Sequence, residues 1–502
     1  MTHTHTPRRL LASLPTKPTL VAGNGIAADA PITALVADSR RATHGTLFVC
    51  IAGAKSDGHR YLPAAYAAGC RCFLVQQLPD APLPDDACLY LSDDTRRDLA
   101  YLAASFYQNP AKDLNIVGIT GTKGKTSVAW MCHHMLQTAG IPSGYIGTCG
   151  VHYGDVSVDT ANTTPDPLLL HRHLRDMKDA GVQTVFLEVS SQAIWQHRVT
   201  GISFATVALT NLSHDHIGGA EHPDFDHYAA CKKRLLTDFD AQTVIVNADD
   251  ASAEQMLGGV TSPILRCSKQ KTADVRATDV CRQIEKGLPG ISFTYQTRDE
   301  SVPVFLPLPG DHNVDNAIMA MAIVGTLGVL PSVAAAALAD LHIPGRFEMM
   351  PYRDALVVID YAHNGASLRA ALSALRDYHP RRLVCLMGSV GDRTQCRRRE
   401  LGDVACALAD YTYLTADNPG FEDVESICRE IAASFDDPQR YCIIPDRAQA
   451  IRTALEGLCP GDALLLAGKG DERFQAVCGR LEPHSDREVV EERIKNETVV
   501  PV

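Results

Sequence analysis

Short apolar runs without polar alternation recur along the middle and the C-terminal part of the chain. The middle carries NIVGIT, TVFLEVS, TVALTNL and TVIVNAD, and the C-terminal part carries ALVVIDYAH, RLVCLMGS, YTYLTADNP, YCIIPD and DALLLAGKG. Strands that are buried on both faces have this composition, and they belong to parallel sheets covered by helices. Helical stretches such as GASLRAALSALRDY separate the runs. The pattern therefore predicts an α/β fold with two parallel sheets.

The length of 502 residues favours about three domains. Ahead of the two sheets, TLFVCIAG, CRCFLV and CLYLS alternate with turns and an Ala-rich helix near residues 62–68, which predicts a small α/β domain. Polar and Pro-containing segments, QNPAKDLN and DLHIPGRFEM, mark the boundaries. We therefore expect domains at residues 1–112, 113–342 and 343–502.

The segment NIVGITGTKGKTSVAW, residues 115–130, reads as a buried strand, a glycine-rich turn and the start of a helix. Backbone N–H groups at such a turn, with a lysine beside them, favour a polyphosphate. Only two residues separate Gly121 from Gly124, whereas the usual P-loop has four between its glycines. A plain βα turn would explain the glycines alone. Lys125 is expected at the β/γ-phosphates, with the Thr126 hydroxyl on Mg²⁺.

Two further strands of the middle segment end in polar side chains. Glu188 ends FLEVS, where a lone buried carboxylate is costly unless it is paired or binds a metal. Asp215 and His216 follow the next strand in LTNLSHDHIGG. Ligands of open α/β sheets bind beyond the carboxyl ends of strands, so Glu188 and His216 are expected to hold a hard cation beside the phosphate loop. A capping role for Glu188 and a structural role for His216 are the alternatives.

Charge and composition narrow the partners and the location. The net charge of -12 argues against nucleic acid bound through a broad basic surface. No run approaches the roughly 18 apolar residues of a membrane span, and the N-terminal segment lacks an apolar h-region, so a cytoplasmic protein is expected. The sixteen cysteines are scattered singly, which indicates small buried hydrophobes in a reducing compartment rather than disulfides or a metal site.

Eight motifs stand in a recognisable order from about Asp38 to about Gln475. They are GTKGKTS, NTTP, EVSSQ with QHRV, NLSHDHIG with EHPDF, PGRFE, DYAHNGASL, TADNP and AGKG. With them the sequence resembles the Mur ligase family, of the MurE type that adds the third amino acid to a UDP-N-acetylmuramoyl dipeptide. The resemblance implies a UDP-binding domain, a central P-loop ATPase domain and a Rossmann-like C-terminal domain that receives the amino acid. It also implies ATP, Mg²⁺, small-molecule substrates and a monomer.

The resemblance assigns residues to each part of the site. The implied catalytic residues are Lys125, Glu188, His216 and Lys232, and the implied metal ligands are Thr126, Glu188, His216 and Lys232. The nucleotide would be held by Gly121, Thr122, Lys123, Gly124, Lys125, Thr126, Ser127, Asn313, Asn316, Arg346, Asp360 and His363. The substrates would meet Ser39 and the loop 54–56, then Asn162, Thr163, Thr164, Ser190, Gln196 and Arg198, and finally Arg393, Asp417, Asn418, Gly468 and Glu472. A helix cap is the alternative for GDHNVDN, and a strand-end turn for DYAHN.

One lysine of the family is carbamylated, and the resemblance implies the same here. A lysine with a depressed pKa near cations can capture CO₂ as the neutral amine, and the resulting carboxylate bridges magnesium ions. Counting from Tyr228 selects Lys232, while KRLL can be read to select Lys233. Taken alone, two lysines on a helix are a solvated face. We expect Lys232 to be the modified residue.

The implied reaction is ATP-driven amide formation. The terminal carboxylate of the nucleotide-linked peptide attacks the γ-phosphate, and the α-amine of the added amino acid then displaces phosphate from the acyl phosphate. Another Mur-type or folylpolyglutamate-type ligase is one alternative. The other is a nucleotide-switched binding protein that hydrolyses ATP without ligating anything.

The added amino acid is predicted from TADNPGFED. Family members that add meso-diaminopimelate carry an arginine after Asp-Asn-Pro, and it pairs with the distal carboxylate in a bidentate fork. Here Gly420 stands at that position. We therefore expect L-lysine or a similar diamine. Meso-diaminopimelate stays an alternative, because Arg393 stands where a carboxylate-binding arginine is expected and Glu472 can hold an ammonium in either branch.

Overall fold

The structure is a computed structural model that describes residues 5–23, 26–53, 56–214, 217–218, 221–391 and 396–498. Contacts within the chain divide it into two compact units, Met1–Arg276 with Ile318–Ala334, and Ala277–Ala317 with Ala335–Val502. Both units contain helices packed on β-sheets, which confirms the α/β class. The domain limits after residues 112 and 342 stay predictions.

The first unit begins with a five-stranded sheet in the order β1-β5-β4-β3-β2. Its strands are β1 (Thr19–Ala22), β2 (Ala34–Val36), β3 (Thr46–Val49), β4 (Cys72–Val75) and β5 (Cys88–Leu91). Its helices are α1 (Pro7–Leu11), α2 (Ile26–Asp29), α3 (Leu62–Ala67) and α4 (Thr95–Phe106), with 3₁₀ turns at Ser39–Arg41, Gly58–Tyr61 and Pro110–Asp113. Strands β2 to β5 run parallel and β1 runs antiparallel to β5. Every residue of β3 and β4 is buried, as expected for apolar runs without alternation.

The central sheet of the first unit has the order β13-β12-β11-β6-β10-β7-β8-β9. Its strands are β6 (Asn115–Thr120), β7 (Ser143–Gly147), β8 (Gly150–Tyr153), β9 (Val156–Val158), β10 (Thr184–Glu188), β11 (Phe204–Leu209), β12 (Ala241–Asn247) and β13 (Ile264–Ser268). The first two residues of β14 (Val275–Glu285) pair with β13. Its helices are α5 (Lys125–Thr138), α6 (Pro167–Asp179), α7 (Ser191–Trp195), α8 (Phe225–Thr237) and α9 (Ala253–Leu257). The four predicted middle strands are β6, β10, β11 and β12, and they are parallel as predicted.

The position of β6 in the sheet determines which strand ends lie beside the glycine-rich turn. It is flanked by β10 and β11, with Glu188 opposite Ile119 and Leu209 opposite Thr120. This register brings the carboxyl ends of three parallel strands to the same level. The turn that follows β6 therefore lies beside the residues that follow β10 and β11, at the edge where ligands of such sheets bind.

The second unit contains the antiparallel pair β15 (Leu288–Gln296) and β16 (Ser301–Leu306) and a six-stranded sheet. The chain reaches that sheet through α10 (Asp311–Thr326) and α11 (Pro331–Leu338). The sheet comprises β17 (Glu348–Tyr352), β18 (Ala355–Asp360), β19 (Leu383–Met387), β20 (Tyr411–Leu414), β21 (Tyr441–Ile443) and β22 (Ala463–Ala467), in the order β17-β18-β22-β19-β20-β21. All but β17 are parallel, which agrees with the Rossmann-like prediction.

Helices and a small hairpin complete the second unit. They are α12 (Gly365–Arg376), α13 (Cys396–Leu408), α14 (Val424–Ala432), α15 (Arg447–Glu456) and α16 (Asp486–Thr498), a 3₁₀ turn at Pro438–Arg440, and β23 (Phe474–Val477) paired with β24 (Arg480–Pro483). Among the described helices, none has the length and apolarity needed to span a bilayer. The described cysteines are free thiols and most are buried, as predicted.

Candidate active site

The turn between β6 and α5 has the geometry of an anion cradle. Gly121 and Gly124 have φ angles of +145° and +83°, which side-chain-bearing residues rarely adopt. A Cβ at Gly121 would lie 1.9 Å from the Thr210 hydroxyl, so only glycine fits there. Helix α5 begins at Lys125. The first N–H groups of a helix lack intrahelical acceptors, and they are available to a phosphate.

Residues that follow β11 brace this turn. The Asn211 side-chain oxygen accepts from the Lys123 amide at 2.9 Å, and the Asn211 carbonyl accepts from the Thr122 amide at 2.9 Å. The Thr210 hydroxyl donates to the Lys123 carbonyl at 2.5 Å, and the Thr122 hydroxyl donates to the Ser213 carbonyl at 3.2 Å. Sequence reasoning missed Thr210, Asn211 and Ser213. Their place just after a predicted buried strand was the available signal.

Two lysines converge on the same carbonyl of the phosphate loop. The Lys125 ammonium donates to the Gly121 carbonyl at 2.9 Å and to the Thr122 carbonyl at 3.1 Å. The Lys232 ammonium donates to the Gly121 carbonyl at 2.7 Å, and its side chain is 1% exposed. Both ammonium groups therefore lie beside the turn that is predicted to hold a phosphate.

Lys232 and Lys233 are adjacent in α8, but their side chains contact different parts of the first unit. Lys232 lies with its nitrogen 4.6 Å from the centroid of the Tyr228 ring, one helical turn earlier, and the Tyr228 hydroxyl bonds to Thr122 of the phosphate loop at 3.0 Å. Lys233 instead donates to the Gln255 carbonyl at 3.0 Å. Since consecutive helical residues point in different directions, only Lys232 reaches the loop.

Glu188, at the end of β10, is fully buried and held by neutral donors. Its Oε1 accepts from the Tyr145 hydroxyl at 2.5 Å and from the Thr148 amide at 2.9 Å. Its Oε2 accepts from the hydroxyls of Thr126 at 3.0 Å and Thr148 at 3.3 Å. Burial, and then the neighbouring Glu188, raise the pKa of Tyr145, so the phenol stays a hydrogen-bond donor. Tyr145 and Thr148 were not predicted from the sequence.

The oxygen donors at the loop fit Mg²⁺. A hydroxyl from Thr126 and a carboxylate from Glu188 touch each other beside the phosphate cradle, and hard cations prefer such oxygens. A carbamate on Lys232 would add two more oxygens. Asp215 and His216 lie outside the described residues, so the predicted role of His216 stays a prediction.

Four of the residues predicted to hold the muramoyl peptide form one cluster behind Glu188. The Thr164 hydroxyl donates to the Glu188 carbonyl at 2.7 Å and accepts from the Ser190 amide at 3.1 Å. The Arg198 guanidinium donates to the Thr164 carbonyl at 2.7 Å and to the Gln196 side-chain oxygen at 2.8 Å. Burial lowers the pKa of Arg198, and the group stays cationic at neutral pH.

The remaining predicted contacts of the first unit are less buried. The Thr163 hydroxyl lies 3.2 Å from that of Thr148, whereas Asn162 is exposed. Ser39 is half-buried in the 3₁₀ turn Ser39–Arg41, next to the small sheet. Of the loop 54–56, only Ser56 is described, and its hydroxyl bonds to Tyr61 at 3.0 Å.

In the second unit, the predicted nucleotide contacts form two groups. The Asn313 amide donates to the Pro309 carbonyl at 2.8 Å, and the Asn316 amide donates to Asn313 at 3.3 Å. Both residues lie within α10, and in these bonds their side-chain amides donate, whereas an N-cap side chain accepts from backbone N–H groups. Their contact with the nucleotide stays a prediction. Near the end of β18 lie Arg346, Asp360 and His363. The Arg346 guanidinium lies over the Tyr361 ring, 4.5 Å from its centroid. The Asp360 carboxylate accepts from the Phe347 amide at 2.7 Å. The Nδ1 atom of His363 lies 2.9 Å from the Tyr361 carbonyl oxygen. Burial raises the pKa of Asp360.

The residues predicted to receive the amino acid also meet in the second unit. The Asn418 amide donates to Glu472 at 2.9 Å, and the buried Lys469 ammonium lies 2.8 Å from the same carboxylate oxygen. A Cβ on Gly468 would lie 2.3 Å from an Asp417 carboxylate oxygen. Burial raises the pKa of Asp417. Sequence reasoning missed Lys469, and Arg393 lies outside the described residues.

Gly420 is fixed by the backbone on both sides. Its amide donates to the Ala476 carbonyl at 3.0 Å, and its carbonyl accepts from the Cys478 amide at 2.7 Å. Its φ angle is +62°, a value at which a side chain costs about 1–2 kcal/mol. The position that carries an arginine in the diaminopimelate branch of the resembled family therefore offers neither a side chain nor a relaxed backbone for one.

Comparison with known proteins gives the class. Residues 119–324 match the Mur ligase middle domain, and residues 345–470 match the Mur ligase, glutamate ligase domain. The enzyme named UDP-N-acetylmuramoyl-L-alanyl-D-glutamate--2,6-diaminopimelate ligase from Chlorobium phaeobacteroides is 36% identical over 494 residues, which cover 96% of this chain and 95% of the relative. Its namesake from Synechococcus elongatus is 36% identical over 489 residues, covering 95% and 96%.

Solved structures agree with the sequence relatives. A structure of a UDP-N-acetylmuramoyl-L-alanyl-D-glutamate--2,6-diaminopimelate ligase matches with a TM-score of 0.70 at 26% identity, over 99% of this chain and 100% of that chain. The MurF ligase of Thermotoga maritima, solved with ADP, shares the fold with a TM-score of 0.60 at 18% identity, covering 92% and 97%. The chain belongs to the Mur ligase family. It is an ATP-dependent ligase of three α/β domains that uses Mg²⁺.

Proposed function

We propose that the chain joins a diamino acid to UDP-N-acetylmuramoyl-L-alanyl-D-glutamate, the third amino acid of a peptidoglycan precursor. One observation carries the proposal. Glu188 bonds through its side chain to Thr126 of the phosphate loop at 3.0 Å and through its backbone to Thr164 of the predicted acceptor cluster at 2.7 Å. A single buried residue thus links the place for ATP with the place for the peptide. The names of the relatives support the choice of peptide.

The residues of the first unit have distinct roles in this reaction. The N–H groups of the loop and the Lys125 ammonium hold the transferring phosphate and stabilise charge on its oxygens. Mg²⁺, which Thr126 and Glu188 would hold, neutralises phosphate charge when bound. Arg198 supplies a half-buried cation that can orient the anionic peptide. The peptide carboxylate is the nucleophile, so no protein nucleophile is required.

We also propose that Lys232 is carbamylated. Two observations support it: the side chain is buried against the phosphate loop, and the competing Lys233 bonds to Gln255 instead. The carbamate forms when the neutral amine adds to CO₂ and releases one proton. It replaces a cation by a carboxylate whose oxygens suit Mg²⁺.

For the added amino acid, meso-diaminopimelate is our first candidate, because the relatives described above are named for it. L-lysine is the second candidate, because Gly420 cannot pair with a distal carboxylate. Steady-state rates with meso-diaminopimelate, L-lysine and L-ornithine, at saturating ATP and UDP-dipeptide, separate them. We expect at least a tenfold preference for diaminopimelate, and the reverse preference would establish L-lysine as the substrate.

Phosphate release tests the ligase function itself. A ligase releases phosphate only when ATP, UDP-muramoyl dipeptide and the amino acid are all present. A nucleotide-switched binding protein would release phosphate from ATP alone. We expect omission of either cosubstrate to reduce the rate at least about tenfold, and equal rates without the dipeptide would refute the proposal.

We further propose a monomer that acts in the cytoplasm, where ATP is available. The family resemblance supports both points. Light scattering of the purified protein at micromolar concentration measures the oligomeric state, and a monomer should give the chain mass of 54.3 kDa. Fractionation of cells that express the tagged chain measures its location.

A further inference from the structure

Three potential metal ligands meet at the start of α8. They are His222, just ahead of the helix, His227 in its first turn and Cys231 one turn later. The Nδ1 atoms of the two histidines lie 2.8 Å apart, and the Cys231 sulfur lies 3.9 Å from Nδ1 of His227. One ligand atom from each of the three residues lies within 4.8 Å of the others. His222 is fully buried and Cys231 is 3% exposed, whereas His227 is half-buried.

The spacing is close to that of a tetrahedral site. Zinc binds imidazole nitrogen at about 2.0–2.1 Å and thiolate sulfur at about 2.3 Å, so the ligand atoms lie roughly 3.3–3.7 Å apart. The histidine nitrogens must separate by about half an ångström to reach that spacing. Two ring nitrogens at 2.8 Å need a proton between them. A metal ion replaces that proton and joins the same two rings.

The surroundings orient His222 for this role. Its other ring nitrogen lies 2.8 Å from the Ser191 hydroxyl, at the start of α7. Metal-ligating histidines almost always bond through the second nitrogen in this way, which fixes the tautomer. The Trp195 ring, 40% exposed, contacts His227 with centroids 5.1 Å apart. His227 is the least buried of the three residues, so it is the one through which solvent reaches the cluster.

We propose that His222, His227 and Cys231 bind a soft divalent metal ion such as Zn²⁺, with water as the fourth ligand. This site differs in chemistry from the Mg²⁺ position, where Thr126 and Glu188 offer only oxygen. It also departs from our expectation that the cysteines are uniformly structural, because the ligands come from separate turns and not from a Cys-rich motif. The ion would cross-link α8 to the segment before it, and that segment is anchored to α7 by Ser191.

Cobalt substitution tests the site in the full chain. Co²⁺ bound to a thiolate gives a sulfur-to-metal charge-transfer band in the near ultraviolet, which an oxygen-only Mg²⁺ site does not give. We expect metal-free protein to develop this band with one equivalent of Co²⁺ and to lose it when Zn²⁺ is added. Cys231→Ser and His227→Ala should lack the band, since each removes one ligand. The matched control is Cys478→Ser, which removes an exposed thiol in the second unit.

Thermal unfolding provides the second readout. Zn²⁺ should raise the melting temperature of the wild type and of Cys478→Ser but not that of Cys231→Ser, because only a site present in the folded state stabilises it. Circular dichroism checks that each variant is folded, and Cys231→Ser keeps the side-chain volume. A charge-transfer band of full intensity in Cys231→Ser would overturn the proposal. Its loss in Cys478→Ser would overturn it equally.

Discussion

The phosphate loop of the first unit and the predicted amino-acid pocket of the second have the same kind of scaffold, but their described lysine contacts differ. Both lie at the carboxyl ends of parallel strands. At the loop, Lys125 and Lys232 donate to a backbone carbonyl and Glu188 accepts from neutral groups. In the pocket, Lys469 is ion-paired with Glu472 at 2.8 Å.

We relate this difference to two tasks: ATP-driven ligation at the loop and recognition of one amino acid in the predicted pocket. The loop brings backbone N–H groups, two lysines and a carboxylate to one place, and any ATP-driven ligation requires such charged groups beside a phosphate and a metal. A neutralised ion pair leaves recognition to the shape and charge of the groups around it. We therefore expect the loop to carry the reaction chemistry, and we expect single positions such as Gly420 to influence the choice of amino acid.

The largest expected effect is a fall in kcat/KM when Lys125 of the phosphate loop is replaced. Lys125→Ala removes the cation at the transferring phosphate and should lower kcat/KM by roughly 1,000-fold, or about 4 kcal/mol, with the fold intact. Lys123→Ala should lose less, because the loop holds Lys123 through its backbone and its side chain is exposed. Initial rates of phosphate release with all substrates measure both. An Lys125→Ala enzyme with more than about a tenth of the wild-type rate would disprove the role of Lys125.

The next effect distinguishes two adjacent lysines. Lys232→Ala should lose about 100-fold in rate, because the loop loses a buried charged group, and added formate should restore part of it by occupying the carbamate position. Lys233→Ala, which loses a contact with Gln255 on the far side, should stay within about twofold of the wild type. Intact mass and rates across a formate titration test this. The opposite pattern in the two variants would make Lys233 the modified residue.

A smaller effect, on selectivity, tests the pocket. Gly420→Arg supplies a cation that can pair with a distal carboxylate and should raise the preference for meso-diaminopimelate over L-lysine by about tenfold. The φ angle of +62° makes the variant less stable by about 1–2 kcal/mol, so the selectivity ratio and not the rate is compared. Phe421→Arg places the same charge on the adjacent, exposed position and serves as the control. Competition between the two amino acids, read by mass spectrometry of the product, gives the ratio. An unchanged ratio would mean that another residue recognises that carboxylate.

A separate effect, on stability and not on rate, compares the two units. His171 in α6 is buried, neither ring nitrogen has a hydrogen-bond partner among the described residues, and burial lowers its pKa to about 4. The unfolded chain takes up the proton below its pKa of about 6.5, so this group destabilises the first unit as pH falls from 6.5 towards 4. The loss is on the order of 2 kcal/mol at pH 5.

His171→Leu should therefore flatten the decline in stability between pH 7 and pH 5, whereas His44→Leu, at an exposed position, should not. Both tryptophans, Trp130 and Trp195, lie in the first unit, so their fluorescence during urea unfolding reports on it. Identical slopes for the wild type and His171→Leu would contradict the assignment.

The second unit should respond to acid differently. Its buried ion pair joins Arg447 and Asp486 at 2.6 Å. Burial opposes ionisation there, but Arg447 holds the pKa of Asp486 well below its usual range. That contribution is present above the unfolded pKa of about 3.9 and is lost only below it. Between pH 7 and pH 5, His171 should therefore destabilise the first unit while this ion pair still stabilises the second.

Local sequence alone determined the parts of this protein that depend on near neighbours. The strand, turn and helix around Gly121 follow from a buried run, two glycines and a helix start, all within 16 residues. The parallel strands were predictable because burial on both faces leaves a continuous apolar run. Predictions failed to find β8, β9 and the antiparallel strands β15 and β16, which are partly exposed and lack that signal. They also missed β7, which is buried but contains a serine and two glycines instead of a continuous apolar run. The family resemblance supplied site residues that spacing by itself left open.

Only the tertiary structure decided which distant groups meet. Asn211 braces the loop because β11 lies next to β6, and Tyr145 reaches Glu188 because β7 lies next to β10. Helix α8 turns Lys232, and not Lys233, towards Gly121. The contact of His222 with His227 and the pairing of Lys469 with Glu472 likewise arise from folding. Strand order, register and helix rotation depend on packing across the whole core, so no short segment specifies them.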